Sequence, residues 1–117
     1  MSKTQSKLGV TIPNDYLVYT ALLTQVEEAA PDPIVLKNTL GGIVVWSYSA
    51  PGVYFATLVG AFPTGKVWVI INQSDDITFE STIQRVGDDD VKVNTYISNV
   101  LQDNVLTDTS IEIRVYP

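Results

Sequence analysis

Along most of the chain, short apolar runs alternate with clusters of turn-forming residues. The runs are rich in valine, isoleucine, threonine and aromatic residues, and the clusters contain glycine, proline, asparagine or aspartate. The clusters occupy residues 30–33, 40–42, 50–52, 62–65, 72–76 and 86–90. This spacing predicts an all-β fold, which we interpret as an antiparallel β-sandwich of about eight strands with jelly-roll-like connections.

Two segments have the pattern of a strand with one face in water. Residues 76–85 read DITFESTIQR and residues 110–117 read SIEIRVYP, and both alternate with the period of two that strands require. In the second segment Ile111, Ile113 and Val115 point toward a core, and Glu112, Arg114 and Tyr116 point outward. Residues 93–101 fit a helical stripe and residues 91–97 fit a strand. The content of Val, Thr and Ile favours a strand through Ser98, followed by a long loop, because β-branched side chains are stiff.

The segment YLVYTALLTQ, Tyr16–Gln25, is apolar on both faces of a strand. The runs at 41–49, 52–60 and 66–72 share this property. A soluble antiparallel sheet usually leaves one face to water, so a second sheet or another copy of the protein must cover the extra face. We therefore expect an oligomer interface. Its predicted residues are Leu17, Tyr19, Leu23, Val44, Trp46 and Tyr48, or else the set on the opposite face.

The composition fits one small globular domain. With 117 residues, 45% of them hydrophobic, the chain can bury a core but not two. We expect a flexible N-terminal arm at residues 1–15, because its residues are mostly polar and end in the turn signal Pro13–Asn14–Asp15, and a single domain at 16–117. The net charge of −6 argues against nucleic acid and anionic membranes as partners. The N-terminus lacks a signal-peptide pattern, and the run VWVII is too short to span a bilayer, so no membrane insertion is expected.

The residue types exclude the common catalytic centres. The chain has neither cysteine nor histidine, which removes Ser-His-Asp and Cys-His mechanisms and most zinc and copper sites. Asp88–Asp90 could be imagined as calcium ligands, but the alternating Asp pattern of a calcium loop is absent, and solvated turn residues are the favoured interpretation. Glycine-rich phosphate loops are also absent. We predict that the protein is not an enzyme and has no catalytic residues, no cofactor and no metal site. A hydrolase that uses two carboxylates is the alternative hypothesis in which the protein would be an enzyme.

Four stretches carry a family resemblance. They are VYTALLTQ, then LKNTLGG leading into IVVWSY, then GVYFATLVGAFP, and finally TSIEIRVYP. In this order they resemble small β-rich structural and attachment proteins of tailed bacteriophages, of the tail-fibre, head-fibre or capsid-decoration type. The resemblance covers about Tyr16 to Pro117 and carries over no functional residue.

The resemblance implies a structural subunit located in the virion. Such a subunit would assemble as a homo-oligomer, with a homotrimer as the expected form, and its N-terminal arm would dock on other virion proteins. The alternative is a virion module that binds a glycan or receptor on the bacterial surface. Its ligand would meet polar loop side chains together with exposed aromatic residues. The candidate loop residues are Asn72, Gln73, Asp75 and Asp76.

Overall fold

The computed structural model describes residues 15–117, so the predicted arm at 1–15 lies outside the described residues except for Asp15. Within this range the chain forms strands joined by turns and loops, and it contains no helix. The strands are β1 Leu17–Thr24, β2 Asp32–Asn38, β3 Val45–Ala50, β4 Val53–Thr57, β5 Val67–Ile71, β6 Phe79–Arg85, β7 Asp90–Ile97, β8 Val100–Leu101 and β9 Thr109–Val115.

The strands form two antiparallel sheets. The four-stranded sheet has the order β2-β1-β9-β5, and the five-stranded sheet has the order β3-β4-β7-β6 with the short β8 beside β7. Hairpins join β1 to β2, β3 to β4 and β6 to β7 within a sheet, whereas the connections after β2, β4, β5 and β8 cross to the other sheet. The predicted all-β sandwich is confirmed. The described strands number nine rather than about eight because β8, of two residues, follows the ambiguous segment, which is strand β7.

The core lies between the inward faces of the two sheets. β1 contributes Tyr19, Ala21 and Leu23, and β4 contributes Tyr54 and Ala56 from the opposite sheet, all at most 1% exposed. Valines of β7 and isoleucines of β9 complete the layer, as the alternation of β9 predicts. Burying side chains of this size removes them from water, the dominant stabilising contribution in a sandwich of this kind.

Candidate functional site

The residues predicted for an oligomer interface lie mainly inside the molecule. Tyr19, Leu23, Val44 and Trp46 are between 0% and 8% exposed and belong to the core of a single copy. The indole Nε1 of Trp46 donates a 3.1 Å hydrogen bond to the hydroxyl of Tyr19, so even their polar atoms are paired within the chain. These four positions are corrected: the second sheet of the same chain covers this face, and it offers no surface to another copy.

The other two predicted interface residues are at least partly accessible. Leu17, at the start of β1, is 46% exposed, although it points to the same side as the core residues of its strand. Tyr48 of β3 is half-buried, and its hydroxyl donates to a carboxylate oxygen of Asp103 at 2.8 Å. The alternative set, on the opposite faces of the same strands, stays a prediction. Its β1 members lie on the outward face of the four-stranded sheet, and its β3 members on that of the five-stranded sheet.

The face of the four-stranded sheet that points away from the core carries large apolar side chains in solvent. We call it the outer face. Cross-strand pairing places Thr20, Glu112 and Ile70 in one row across β1, β9 and β5. A bulge in the pairing of β1 with β2 leaves Leu36 out of register and 61% exposed. The exposed or partly exposed apolar members of the outer face are Tyr16, Leu22, Ile34, Leu36, Trp68, Ile70 and Tyr116, whereas Val18 lies on the same face but is buried.

An arginine sits between two aromatic rings at one end of the outer face. The guanidinium carbon of Arg114 lies 4.6 Å from the ring centroid of Tyr16 and 4.6 Å from that of Trp68. Its Nε donates to Glu112 at 2.8 Å, and this hydrogen bond raises the pKa of Arg114. The ring of Tyr116 lies 5.1 Å from that of Tyr16. Arg114 thereby holds the aromatic rings as a rigid, partly exposed platform.

An open groove of about 490 Å³ crosses the centre of the outer face. Leu36 on β2 and Ile70 on β5 line its two sides, and Thr20 and Glu112 lie between them. Asn72 lines the groove beyond the end of β5. Its volume falls within the range of sites that hold a small ligand, and its lining is mostly apolar with a few polar groups.

The corresponding face of the five-stranded sheet is much more polar. Its β6 positions include Glu80, Thr82 and Gln84, all exposed, and Lys92 of β7 pairs with Gln84 in register. Phe55 of β4 is only partly exposed on this face, and Val45 of β3, 61% exposed, is its most exposed apolar residue. The two outward faces of the sandwich therefore differ, and the apolar excess is concentrated on the four-stranded sheet.

Two of the four predicted ligand residues, Gln73 and Asp76, form hydrogen bonds within the chain. The side-chain amide of Gln73 donates to the carbonyl of Ser81 at 2.6 Å and accepts from its N–H at 3.0 Å, which joins the end of β5 to β6. Asp76 accepts from the N–H of Thr78 at 3.0 Å and from its hydroxyl at 2.8 Å, and these bonds lower the pKa of Asp76. Asp75 is exposed, and Asn72 and Gln73 both line the groove.

The carboxylates of the acidic cluster Asp88–Asp90 bind to neighbouring residues of the same chain. Asp88 pairs with Arg85 at 2.6 Å, the carboxylate of Asp89 accepts from the N–H of Gly60 at 2.7 Å, and Asp90 accepts from the hydroxyl of Thr57 at 2.6 Å. The three carboxylates thus bond to three different partners. Within residues 15–117, no group of three or more acidic residues is arranged to hold a metal ion.

A buried polar network at one end of the sandwich was not predicted from the sequence. One carboxylate oxygen of Asp103 accepts from the hydroxyl of Tyr54 and from the N–H of Gly52, both at 2.8 Å, and the other accepts from Tyr48. The hydroxyl of Tyr54 also lies 2.8 Å from the amide oxygen of Gln25, which is 1% exposed. The network attaches the loop at 102–108 to both sheets.

The network shifts the titration of its members in opposite directions. Desolvation alone would raise the pKa of Asp103, but hydrogen bonds from Gly52, Tyr54 and Tyr48 together lower it. Burial, followed by the hydrogen bond to Asp103 and its negative charge, raises the pKa of Tyr48 to about 12. Asp103 is therefore held as a carboxylate and its tyrosine partners as neutral donors. The sequence signal for this network is weak because Tyr54 and Asp103 are 49 positions apart.

Comparison of the chain with protein-family models, curated proteins and solved structures found no match. Among the residues that the structure describes, no helix has the length and hydropathy needed to cross a membrane.

Proposed function

We propose that this chain is a structural subunit of a tailed-phage virion that assembles with copies of itself through the outer face of the four-stranded sheet. The observation that carries the assembly proposal is the exposure of Ile34, Leu36 and Ile70, between 51% and 61%, on one continuous sheet face. Contiguous apolar surface of this kind is typical of protein–protein contacts. The resemblance of four sequence stretches to phage structural proteins supports the virion role.

The free energy gained by burying this surface is comparable with the free-energy cost of association. Full burial of a large apolar side chain is worth about 1.5–3 kcal/mol, and half-exposed residues gain roughly half of that. Ile34, Leu36, Trp68 and Ile70 from each of two copies would then contribute about 6–12 kcal/mol, within the range of about 4–15 kcal/mol that association costs. Arg114 is already paired with Glu112, so the platform enters such a contact without an unpaired charge.

Light scattering on the full chain tests the proposal. One copy has a mass of 12.8 kDa, so a stable assembly gives a multiple of that value at micromolar concentration. Ile70→Lys places a cation in the centre of the outer face and should reduce the mass to that of one copy. Gln84→Lys is the matched control, because it adds the same charge at an exposed position of the other sheet.

Two results would refute assembly through the outer face. One is a wild-type mass of a single copy. The other is a multimeric mass that survives both Ile70→Lys and Leu36→Lys, provided that circular dichroism shows the same β signal in every variant. Detection of the wild-type chain in purified virions by mass spectrometry tests the virion role separately.

A second candidate function is binding of a bacterial surface glycan in the groove. The groove favours it, because Asn72 and Glu112 provide polar groups and Trp68, 43% exposed, lies on the same face two residues before Ile70. Exposed aromatic rings next to such groups suit the apolar faces of sugars. Glycan binding that Trp68→Ala abolishes, in a wild-type chain of single-copy mass, would favour this function over self-assembly.

A further inference from the structure

β2 is an open edge of the four-stranded sheet. Within residues 15–117 it pairs with β1 alone, and six of its seven residues are exposed, Pro33 being the exception. Such an edge presents unpaired backbone N–H and C=O groups, except that Pro33 has no N–H to offer, and it is a template for another strand. The opposite edge differs, because Gln73 joins the end of β5 to Ser81 of β6.

Residues 8–12, with the sequence LGVTI, have the pattern of a strand. Leu8, Val10 and Ile12 alternate with Gly9 and Thr11, which gives one apolar side at the period of two. Residues 1–14 contain two lysines and no acidic residue, so residues 15–117 carry the entire acidic excess of the chain. Residues 1–14 are thus opposite in charge to the described part of the chain as a whole. Residues 8–12 are uncharged and β2 carries one charge of each sign, Asp32 and Lys37, so no net charge opposes their pairing.

The position of the segment favours pairing between two copies. The segment ends a few residues before Leu17, where β1 begins, and β2 runs antiparallel to β1. If residues 13–15 reversed the chain, residues 8–12 would run antiparallel to β1 and hence parallel to β2 of the same copy. Residues 8–12 can run antiparallel to β2 of a second copy, and antiparallel pairing is the more stable arrangement.

The segment is long enough to reach a neighbour. Residues 8–16, fully extended, span about 30 Å, and adjacent strands are only about 5 Å apart. β2 also contributes Ile34 and Leu36 to the outer face, so a copy that docks there lies beside this edge. From these features we propose that residues 8–12 of one copy add as a strand to the free edge of β2 in a neighbouring copy. The proposal rests on the self-assembly proposed above, because it needs a second copy.

Cysteine cross-linking can test this pairing against a clean background, since the wild-type chain has no cysteine. Two differently tagged full-length chains are co-expressed, one with Val10→Cys and the other with a cysteine at position 34, 35 or 36. After mild oxidation, at least one pair should give a mixed disulfide carrying both tags, in several-fold higher yield than the control. The control pairs Val10→Cys with Ser47→Cys, which is exposed on edge strand β3 of the other sheet.

The outcomes separate this inference from the proposed function. A multimeric mass with mixed-disulfide yields no higher than the Ser47 control would overturn the pairing and leave self-assembly standing. A single chain that carries both cysteines and closes a disulfide within itself, with no link between chains, would show that the segment pairs in its own copy and would overturn the exchange. A single-copy mass of the wild type would remove the proposed assembly itself.

Discussion

Asp103 illustrates how a single carboxylate can attach a long loop to a β-sandwich. It accepts hydrogen bonds from Tyr48 of β3, Tyr54 of β4 and the N–H of Gly52 between those strands. Gln25, which follows β1, shares Tyr54 and also accepts from the N–H of Asn104. Hydrogen bonds to a charged group are stronger than those between neutral groups, so the bonds that Asp103 contributes to the loop's attachment depend on its ionised state.

Asp103→Asn should destabilise the protein and flatten its acid dependence. Loss of the charge weakens three hydrogen bonds and presents an amide N–H₂ group to donors, at a cost of about 1–3 kcal/mol in the free energy of unfolding at pH 7. The pKa of Asp103 is lowered from its ordinary 3.8 in the folded state, so its stabilising contribution is present above that value and is lost as the pH falls below it. Urea denaturation at several pH values measures both effects.

Asp75→Asn is the control for this prediction. It removes one carboxylate from an exposed loop position, and surface changes of this kind usually alter stability by less than about 0.5 kcal/mol. The variant should keep the wild-type loss of stability below pH 4, whereas Asp103→Asn should lose less. Equal acid slopes in wild type and Asp103→Asn would contradict the assignment of this titration to Asp103.

At the scale of elements, the hairpin between β3 and β4 packs its turn directly against backbone. Gly52 has a φ of +70°, and a Cβ at this position would lie 2.5 Å from the carbonyl oxygen of Thr95 and 2.7 Å from the backbone nitrogen of Gln102. The N–H of Thr95 in turn donates to the carbonyl of Gly52 at 2.9 Å. The turn can therefore dock on β7 only if its residue has no side chain.

Gly52→Ala should consequently destabilise the protein more than an alanine at a glycine that has a positive φ but free space around it. Gly65 is the matched control, because its φ is +77° and no atom lies within 4 Å of its Cβ position. Gly65→Ala should cost about 1–2 kcal/mol from the left-handed backbone. Gly52→Ala adds a clash with backbone atoms, which we expect to cost about 1–3 kcal/mol more. Equal urea midpoints for the two variants would show that the hairpin moves away without loss.

The elements were the most predictable part of this protein. Alternation identified the inward face of β9, because one side of that strand is more apolar than the other. The strand character of β7 was predicted from its content of β-branched residues. Alternation could not decide which face of β1 is buried, since both are apolar and the choice depends on the sheet packed against it. Tyr19 and Leu23 were misplaced for that reason, and Val44 and Trp46 were misplaced because the run at 41–49 is likewise apolar on both faces.

The candidate site was less predictable, because long-range pairing brings it together. Alternation placed Glu112 and Arg114 outward. No local pattern indicates that Tyr16 and Trp68, which are far from Arg114 in the sequence, lie on either side of its guanidinium. The bulge that exposes Leu36 is set by the register between β1 and β2. Periodicity gives each strand's faces, whereas the groove exists only once four strands are in register.

At the scale of the whole molecule, one copy measures 51 × 29 × 23 Å and leaves a contiguous apolar face on the side of the four-stranded sheet. The net charge of −6 opposes close approach of two copies. On the outer face, however, the charged groups Lys37, Glu112 and Arg114 include both signs. When two copies associate through this face, the surfaces in contact therefore do not carry the acidic excess of the whole chain.

If assembly occurs through the outer face, the melting temperature must depend on protein concentration. Only the folded chain presents this face, so association stabilises folding by mass action, and each tenfold increase in concentration should raise the Tm by roughly 2–4 °C for a domain of this size. Ile70→Lys should abolish this dependence, whereas Gln84→Lys should retain it, because position 84 lies on the polar face of the other sheet. Differential scanning fluorimetry over a hundredfold concentration range gives both slopes. A wild-type Tm that stays constant over that range would mean that the outer face remains in water, and the apolar side chains of β2 and β5 would then need a partner other than a second copy.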